Sequence, residues 1–254
     1  MDRVYRVEQV MGFPVVVDVP DASPAVAAAV ERAFGWLHEV DLRFSPFRAG
    51  SEVCRLDRGE LSAEECSDDL TEVLDLCARY ERATHGAFRV RLPGRGLDPC
   101  AVVKGWAVQR AADLLRGAGA ERFCLNAGGD VVCAGEPERG RPWLVGVRHP
   151  ERADALCAVF GVRDAAVATS ACYERGRHIV DGRTGEPARG LLSVTVLAAD
   201  LTTADTSATA AFALGADGPR WAADQPGCLV YAVDERRRVF RSPGLDHVLV
   251  RPAA

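Results

Sequence analysis

Of the 254 residues, one is lysine, one is asparagine and one is isoleucine, while 30 are arginine. Depletion this uniform is a coding bias that says nothing about fold, and it makes Lys104, Asn126 and Ile179 conspicuous where they stand. No window gathers the Lys and Arg cluster that a nucleic-acid surface needs, and the net charge is -5, so nucleic acid is not an expected partner. Long apolar runs are missing too. Stretches such as 15–17 and 191–197 are strand-sized, far below the roughly 18 residues that span a bilayer. Residues 1–7 contain no apolar signal core, and no two of the nine cysteines have C-x-x-C spacing. A disulfide framework and a zinc knuckle are therefore not expected, and a reducing cytoplasm is. Also absent are G-x-S-x-G, G-x-G-x-x-G and a P-loop, which removes the common hydrolase, dinucleotide and NTPase signatures. What remains, 48% apolar and 26% charged, is ordinary globular composition. At this length about 70–75% of the unfolded surface can be buried, and residues 1–254 are expected to form one unit.

Strand-sized Leu- and Val-rich stretches alternate with longer segments of helical period. Ser23-Pro24 supplies a cap and a proline for the first turn, and Val26, Val30, Phe34, Leu37 and Val40 follow at helical spacing, which predicts a helix over 24–40. A second is predicted from a Ser67 cap, with Leu70, Val73, Leu74, Cys77 and Tyr80 on one face, to near Gly86. Further helices are predicted over 104–117 and over 204–214, the last ended by Gly215. Strands are predicted over 6–19, 123–126, 131–134, 143–147, 166–169, 178–180, 191–197 and 228–233. Strands succeed one another across short turns in the second half. The expected class is therefore α+β, with largely antiparallel sheets flanked by helices, in one lobe or two.

Four segments carry candidate chemistry. Asp98-Pro99-Cys100-Ala101-Val102-Val103-Lys104-Gly105-Trp106 feeds a helix, and helix-start N–H groups beside a lysine suit phosphate oxygens; an exposed first-turn lysine is the simpler alternative. Lysine is a compact charge where arginine is a broad fork, so keeping lysine at 104 fits a site where space is tight. Leu125-Asn126-Ala127-Gly128-Gly129-Asp130 offers two polar handles and two glycines for close approach of a ligand, or simply a hairpin turn. Ala168-Thr169-Ser170-Ala171-Cys172-Tyr173-Glu174 is followed by His178, a natural general base because an imidazole pKa of about 6.5 leaves it mostly neutral. Asp181 can join His178 only if the chain turns at Asp181-Gly182, since in a strand the two side chains point to opposite faces. In Ala204-Asp205-Thr206-Ser207-Ala208-Thr209, Asp205 and Thr209 share a helical face and offer oxygens of the kind Mg²⁺ and Ca²⁺ prefer, whereas Thr202-x-x-Asp205 also reads as a capping box.

Taken in order, these segments resemble the ApbE family, the Mg²⁺-dependent FAD:protein FMN transferases. The resemblance adds Met11-Gly12, Phe44-Ser45-Pro46-Phe47, Ser51-Glu52-Val53, Thr184-Gly185 and Ser193-Val194-Thr195-Val196 to the segments above, and it spans residues 10–215. It implies an ApbE-like fold with an FAD cleft and transfer of FMN from FAD to a threonine hydroxyl of an acceptor protein with an FMN-binding domain, releasing AMP. Asp205, Thr209 and the carbonyl of Val103 would hold Mg²⁺ on the pyrophosphate, and His178 with Asp181 would be catalytic, His178 taking the proton of the threonine. Met11, Ser45, Lys104, Asn126, Gly128, Gly129, Asp130, Thr169, Ser170 and Thr184 would contact FAD. With water as nucleophile the same site would be an FAD pyrophosphatase, and without turnover a flavin-binding module. The chain departs from the family pattern at Cys100-Ala101 for Gly-Gly, Val103 for Ala, Ala171 for Gly, Gly182 for Pro and Gln109 for Asp. The change at Gln109 implies an altered polar contact to the nucleotide.

Overall fold

The computed structural model describes residues 2–92, 94–172 and 178–250. Strands β1 (Asp2–Val10) and β2 (Phe13–Ala22) form an antiparallel hairpin where the sequence predicted one strand over 6–19. The chain reverses at Met11 and Gly12, with φ of 56° and 83°, the doubly left-handed pair that matches the twist of a two-residue hairpin. Helix α1 (Pro24–Phe44) starts where predicted, with Ser23 Oγ accepting from the Val26 N–H at 3.2 Å, and runs one turn further to bury Phe44. Caps at Ser51 and Ser67 likewise open α2 (Glu52–Asp57) and α3 (Asp68–Ala83).

Helix α4 (Cys100–Gly117) begins a turn earlier than predicted. Lys104 therefore lies in its second turn, not beside unpaired helix-start amides, and the first of those, the Cys100 N–H, already donates to Asp98 Oδ1 at 3.0 Å. Strands β3 (Phe123–Ala127), β4 (Asp130–Ala134), β5 (Trp143–His149), β6 (Arg152–Val162), β7 (Ala165–Ala171) and β8 (Leu191–Ala198) follow. Then come α5 (Leu201–Leu214), α6 (Gly218–Ala223), β9 (Leu229–Asp234) and β10 (Val239–Arg241). The strand predicted at 178–180 is reduced to a single bridge between Val180 and Pro187. Strand β6 was not predicted, because its first half is exposed and its residues do not alternate cleanly. The predicted capping box is also corrected: Asp200 caps α5 by accepting from the Thr203 N–H at 2.8 Å, and Asp205 lies inside the helix.

Eight strands form one antiparallel sheet in the order β1-β2-β3-β4-β7-β8-β9-β10, and β5 pairs with β6 in a second, two-stranded sheet. The expected α+β class with antiparallel sheets flanked by helices is what the structure has. Alternation along the strands sends Val17, Leu125, Val132, Ala168, Val194 and Val196 to one face, where they pack with α1, α4 and α5. Val131, Cys133, Val167, Leu197, Tyr231 and Val233 go to the other, where they meet Val145, Val147, Phe160 and Val162 of the β5–β6 hairpin. Strand β4 is buried along its whole length because both faces are covered. Helix α4 packs between α1 and α5, and Gly105 permits the approach: a Cβ there would lie 2.6 Å from the Leu201 carbonyl oxygen.

Candidate active site

On the helical side of the sheet the end of α1, the β1–β2 turn, the 88–101 segment, α4, β7 and α5 enclose a cavity of about 1130 Å³. That is the size of a large small-molecule site, for which roughly 300–1,000 Å³ is usual. Ten of the sequence-predicted residues line it: Met11, Ser45, Val103, Lys104, Gly128, Thr169, Ser170, His178, Asp205 and Thr209. They arrive from seven segments. Met11 stands on the hairpin turn, Ser45 caps the end of α1, and Val103 and Lys104 come from α4. Thr169 and Ser170 sit on β7, Asp205 and Thr209 one turn apart on α5, and Gly128 in the β3–β4 turn. His178 is exposed at the cavity, with Ile179 and Val180 beside it.

The electrostatic centre is Lys104. Its Nζ is ion-paired with Asp130 Oδ2 and lies 3.2 Å from Asp205 Oδ1. Burial opposes the ammonium charge, but the two carboxylates outweigh it and hold the lysine above its ordinary pKa. Asp205 is also shifted upward, but for it burial is the cause: it pushes the carboxyl up to about 7, against the pull of Lys104. Asp205 Oδ2 is buried with no hydrogen-bond partner, whereas Asp130 Oδ2 is engaged by the Lys104 ion pair. Asp130 faces Lys104 from beneath the cavity and accepts the Thr169 N–H on Oδ1 at 2.9 Å. A second link, Ser170 Oγ to Thr209 Oγ1 at 3.0 Å, ties β7 to α5. Among the described residues no group of three or more His, Cys, Asp or Glu could hold a metal. The oxygen donors brought together beside Lys104 are the Asp205 carboxylate, with Asp130 behind the lysine, and the linked hydroxyls of Ser170 and Thr209.

Five predicted residues do not line the cavity. Asn126 is spent on the turn, its Oδ1 accepting the Gly129 N–H at 2.9 Å, so the hairpin reading describes it. Gly129 lies in that same turn, and Asp130 lies behind Lys104. The chain does turn at Asp181, with the Gly185 N–H donating to its carbonyl at 2.8 Å, but the Asp181 carboxylate is held by Arg183 at 2.7 Å and 2.9 Å. Asp181 and Thr184 instead line a neighbouring cavity of about 410 Å³. Tyr173, Glu174 and Arg177 lie outside the described residues.

Two departures from the family pattern acquire physical reasons. Gln109 does not line the cavity; its Oε1 accepts the Leu201 N–H at 2.9 Å and its Nε2 donates to Asp113, so it joins α4 to the start of α5. Gly182 donates its N–H to the Ala87 carbonyl at 2.8 Å, and a Cβ there would lie 2.5 Å from the Gly86 carbonyl oxygen. Proline could neither donate that bond nor fit that space. The cavity also includes Arg89 and Arg95, which sequence reasoning missed. In a chain with 30 arginines no single one stands out, and only the fold selects these two.

The ApbE family model matches residues 11–94 and 89–232. The chain is similar to the FAD:protein FMN transferase of Rhodobacter capsulatus, 32% identical over 229 residues that make up 87% of this chain and 40% of that protein. It is also similar to the FAD:protein FMN transferase of Treponema pallidum, 30% identical over 80% of this chain and 62% of that protein. The chain thus spans less than two thirds of the length of either relative. Among solved structures, the ApbE protein of Thermotoga maritima matches with a TM-score of 0.85 at 24% identity, over 98% of this chain and 100% of that one. The flavin transferase ApbE from Vibrio cholerae matches with a TM-score of 0.83 at 21% identity, over 97% and 99%. These structural matches carry the fold alone.

Proposed function

This chain belongs to the ApbE family, and from that premise we propose that it transfers the FMN half of FAD to a threonine hydroxyl of an acceptor protein bearing an FMN-binding domain, with Mg²⁺ bound and AMP released. The observation that carries the reading is the convergence of His178, Lys104, Asp205 and Thr209 on one cavity of FAD-compatible size. In the transfer, the threonine Oγ forms a bond to the phosphorus of the FMN phosphate, and the bond from that phosphorus to the bridging oxygen breaks, leaving with AMP. His178, exposed at the cavity, takes the hydroxyl proton. Because the Asp181 carboxylate is engaged by Arg183, proton transfer is assigned to His178 alone.

The donor set suits a hard cation: Asp205 Oδ2 is buried with no hydrogen-bond partner, and the Thr209 hydroxyl and the Val103 carbonyl that would join it are oxygens. Asp205, Thr209 and the Val103 carbonyl would hold Mg²⁺, which when bound neutralises charge on the diphosphate. Met11, Ser45, Gly128, Thr169 and Ser170 line the walls and would contact FAD. The cytoplasmic compartment is kept as part of this reading on the scattered cysteine spacing of the sequence, and among the described residues no helix is long and apolar enough to cross a membrane. The test is to incubate the chain with FAD, Mg²⁺ and an FMN-binding-domain protein and read covalent flavin fluorescence on the acceptor band. His178→Ala and Asp205→Ala are each expected to lower the labelling rate by about 100-fold or more. Wild-type rates in both variants would remove these roles.

A further inference from the structure

A lysine in the middle of a proposed cation site needs its own explanation. Lys104 Nζ touches both Asp130 and Asp205, whose side chains are 3% and 4% exposed, and it is the chain's only lysine. The two carboxylates are not equivalent. Asp130 is fixed from behind by the Thr169 N–H on its Oδ1, so it is committed to the protein. Asp205 keeps Oδ2 unpartnered, so it is the one with capacity for a second cation. We propose that Lys104 is the built-in counter-ion of the cation position: it neutralises Asp205 when no metal is bound, and Asp130 retains it when a metal takes Asp205. Lys104 and Asp130 are thus positioning residues that set the affinity of the site from opposite directions. This inference rests on the assignment of Asp205 as a metal ligand made above.

The choice of lysine follows. An ammonium is a point charge that can stay with one carboxylate while releasing the other, whereas a guanidinium makes planar, two-pronged contacts that are lost together. Competition also gives the two substitutions opposite signs. Removing the ammonium in Lys104→Met takes away the internal cation that competes for Asp205, so in a titration run above the raised range of that carboxyl a metal cation should bind more tightly. Neutralising its alternative partner in Asp130→Asn leaves Asp205 as the only carboxylate on Lys104, so a cation must compete harder. Damage to the fold would weaken binding in both.

The experiment titrates the full chain, without FAD, with Mn²⁺ as a paramagnetic probe of an oxygen-ligand site, counting free Mn²⁺ by electron paramagnetic resonance. Relative to wild type, Lys104→Met is expected to bind about tenfold or more tightly and Asp130→Asn about tenfold or more weakly, as for one charge at contact distance. Asp205→Asn is expected to abolish the site. Equal affinity in wild type and Lys104→Met, or weaker binding in both variants, overturns the inference while leaving the metal assignment in place. If the wild-type chain binds no Mn²⁺, the metal assignment falls and the inference with it. Should Lys104→Met unfold alone, recovery of its melting transition on adding Mn²⁺ supports the proposal; no recovery, with Asp130→Asn at wild-type affinity, overturns it.

Discussion

Gly105 shows how much of the site depends on a missing atom. Its neighbour Lys104 carries the charge, but the place of Asp205 beside that charge depends on α4 and α5 meeting at Gly105, where a Cβ would lie 2.6 Å from the Leu201 carbonyl and 2.8 Å from the Asp205 Cβ. Helix propensity favours alanine over glycine by about 1 kcal/mol, while overpacking against backbone that cannot rotate away costs about 1–3 kcal/mol. The clash should win. Gly105→Ala is expected to lower unfolding stability by up to about 2 kcal/mol in a urea titration, and to weaken Mn²⁺ binding because Asp205 is displaced with the helix. At this scale the sequence was informative wherever a rare residue survived a biased composition. Lys104 stands at the charge centre, and Asn126 holds the β3–β4 turn as one of its two expected roles required. What the sequence could not show was that Asp130 faces Lys104 rather than a ligand, because that contact joins residues 26 apart on a helix and a strand.

Helices α1 and α3 were predicted to within a turn because their caps are local: Ser23 and Ser67 each accept an N–H from three residues on, whereas the short α2 and α6 were not predicted. The start of α5 was misread by three residues because its local cap, Asp200, was passed over for Thr202-x-x-Asp205, and its first N–H is satisfied by Gln109, 92 residues earlier. Gln109→Ala is expected to cost about 1–2 kcal/mol of stability, since Leu201 is fully buried and its N–H would lose its partner. The apparent KM for FAD should remain unchanged, because residue 109 is outside the cavity. Thermal unfolding and an FAD titration of the same variant check both halves. Strands fared worse for a related reason. The 6–19 run is apolar on both sides of Met11-Gly12, so only the two left-handed φ values mark the reversal, and β6 gains its burial from a partner sheet the pattern does not announce.

Across the whole molecule the main sheet separates two jobs. One face carries the helices and the cavity, and the other is closed by the β5–β6 hairpin, none of whose core residues lines the cavity. Phe160, fully buried there with its ring edge-on to Tyr231 at 6.1 Å, anchors that second core. Phe160→Ala is expected to cost about 3–5 kcal/mol and to lower the melting temperature, yet leave FAD affinity unchanged below the transition; a loss of FAD affinity in the folded variant would show the two faces to be coupled. The reading of the cavity as a flavin transfer site is tested most directly by product balance. With FAD, Mg²⁺ and an acceptor protein present, intact mass of the acceptor and released AMP are measured together. One AMP for each FMN attached to the acceptor is expected, and both should vanish in His178→Ala. AMP and free FMN accumulating with no change in acceptor mass would contradict the transfer and make water the nucleophile.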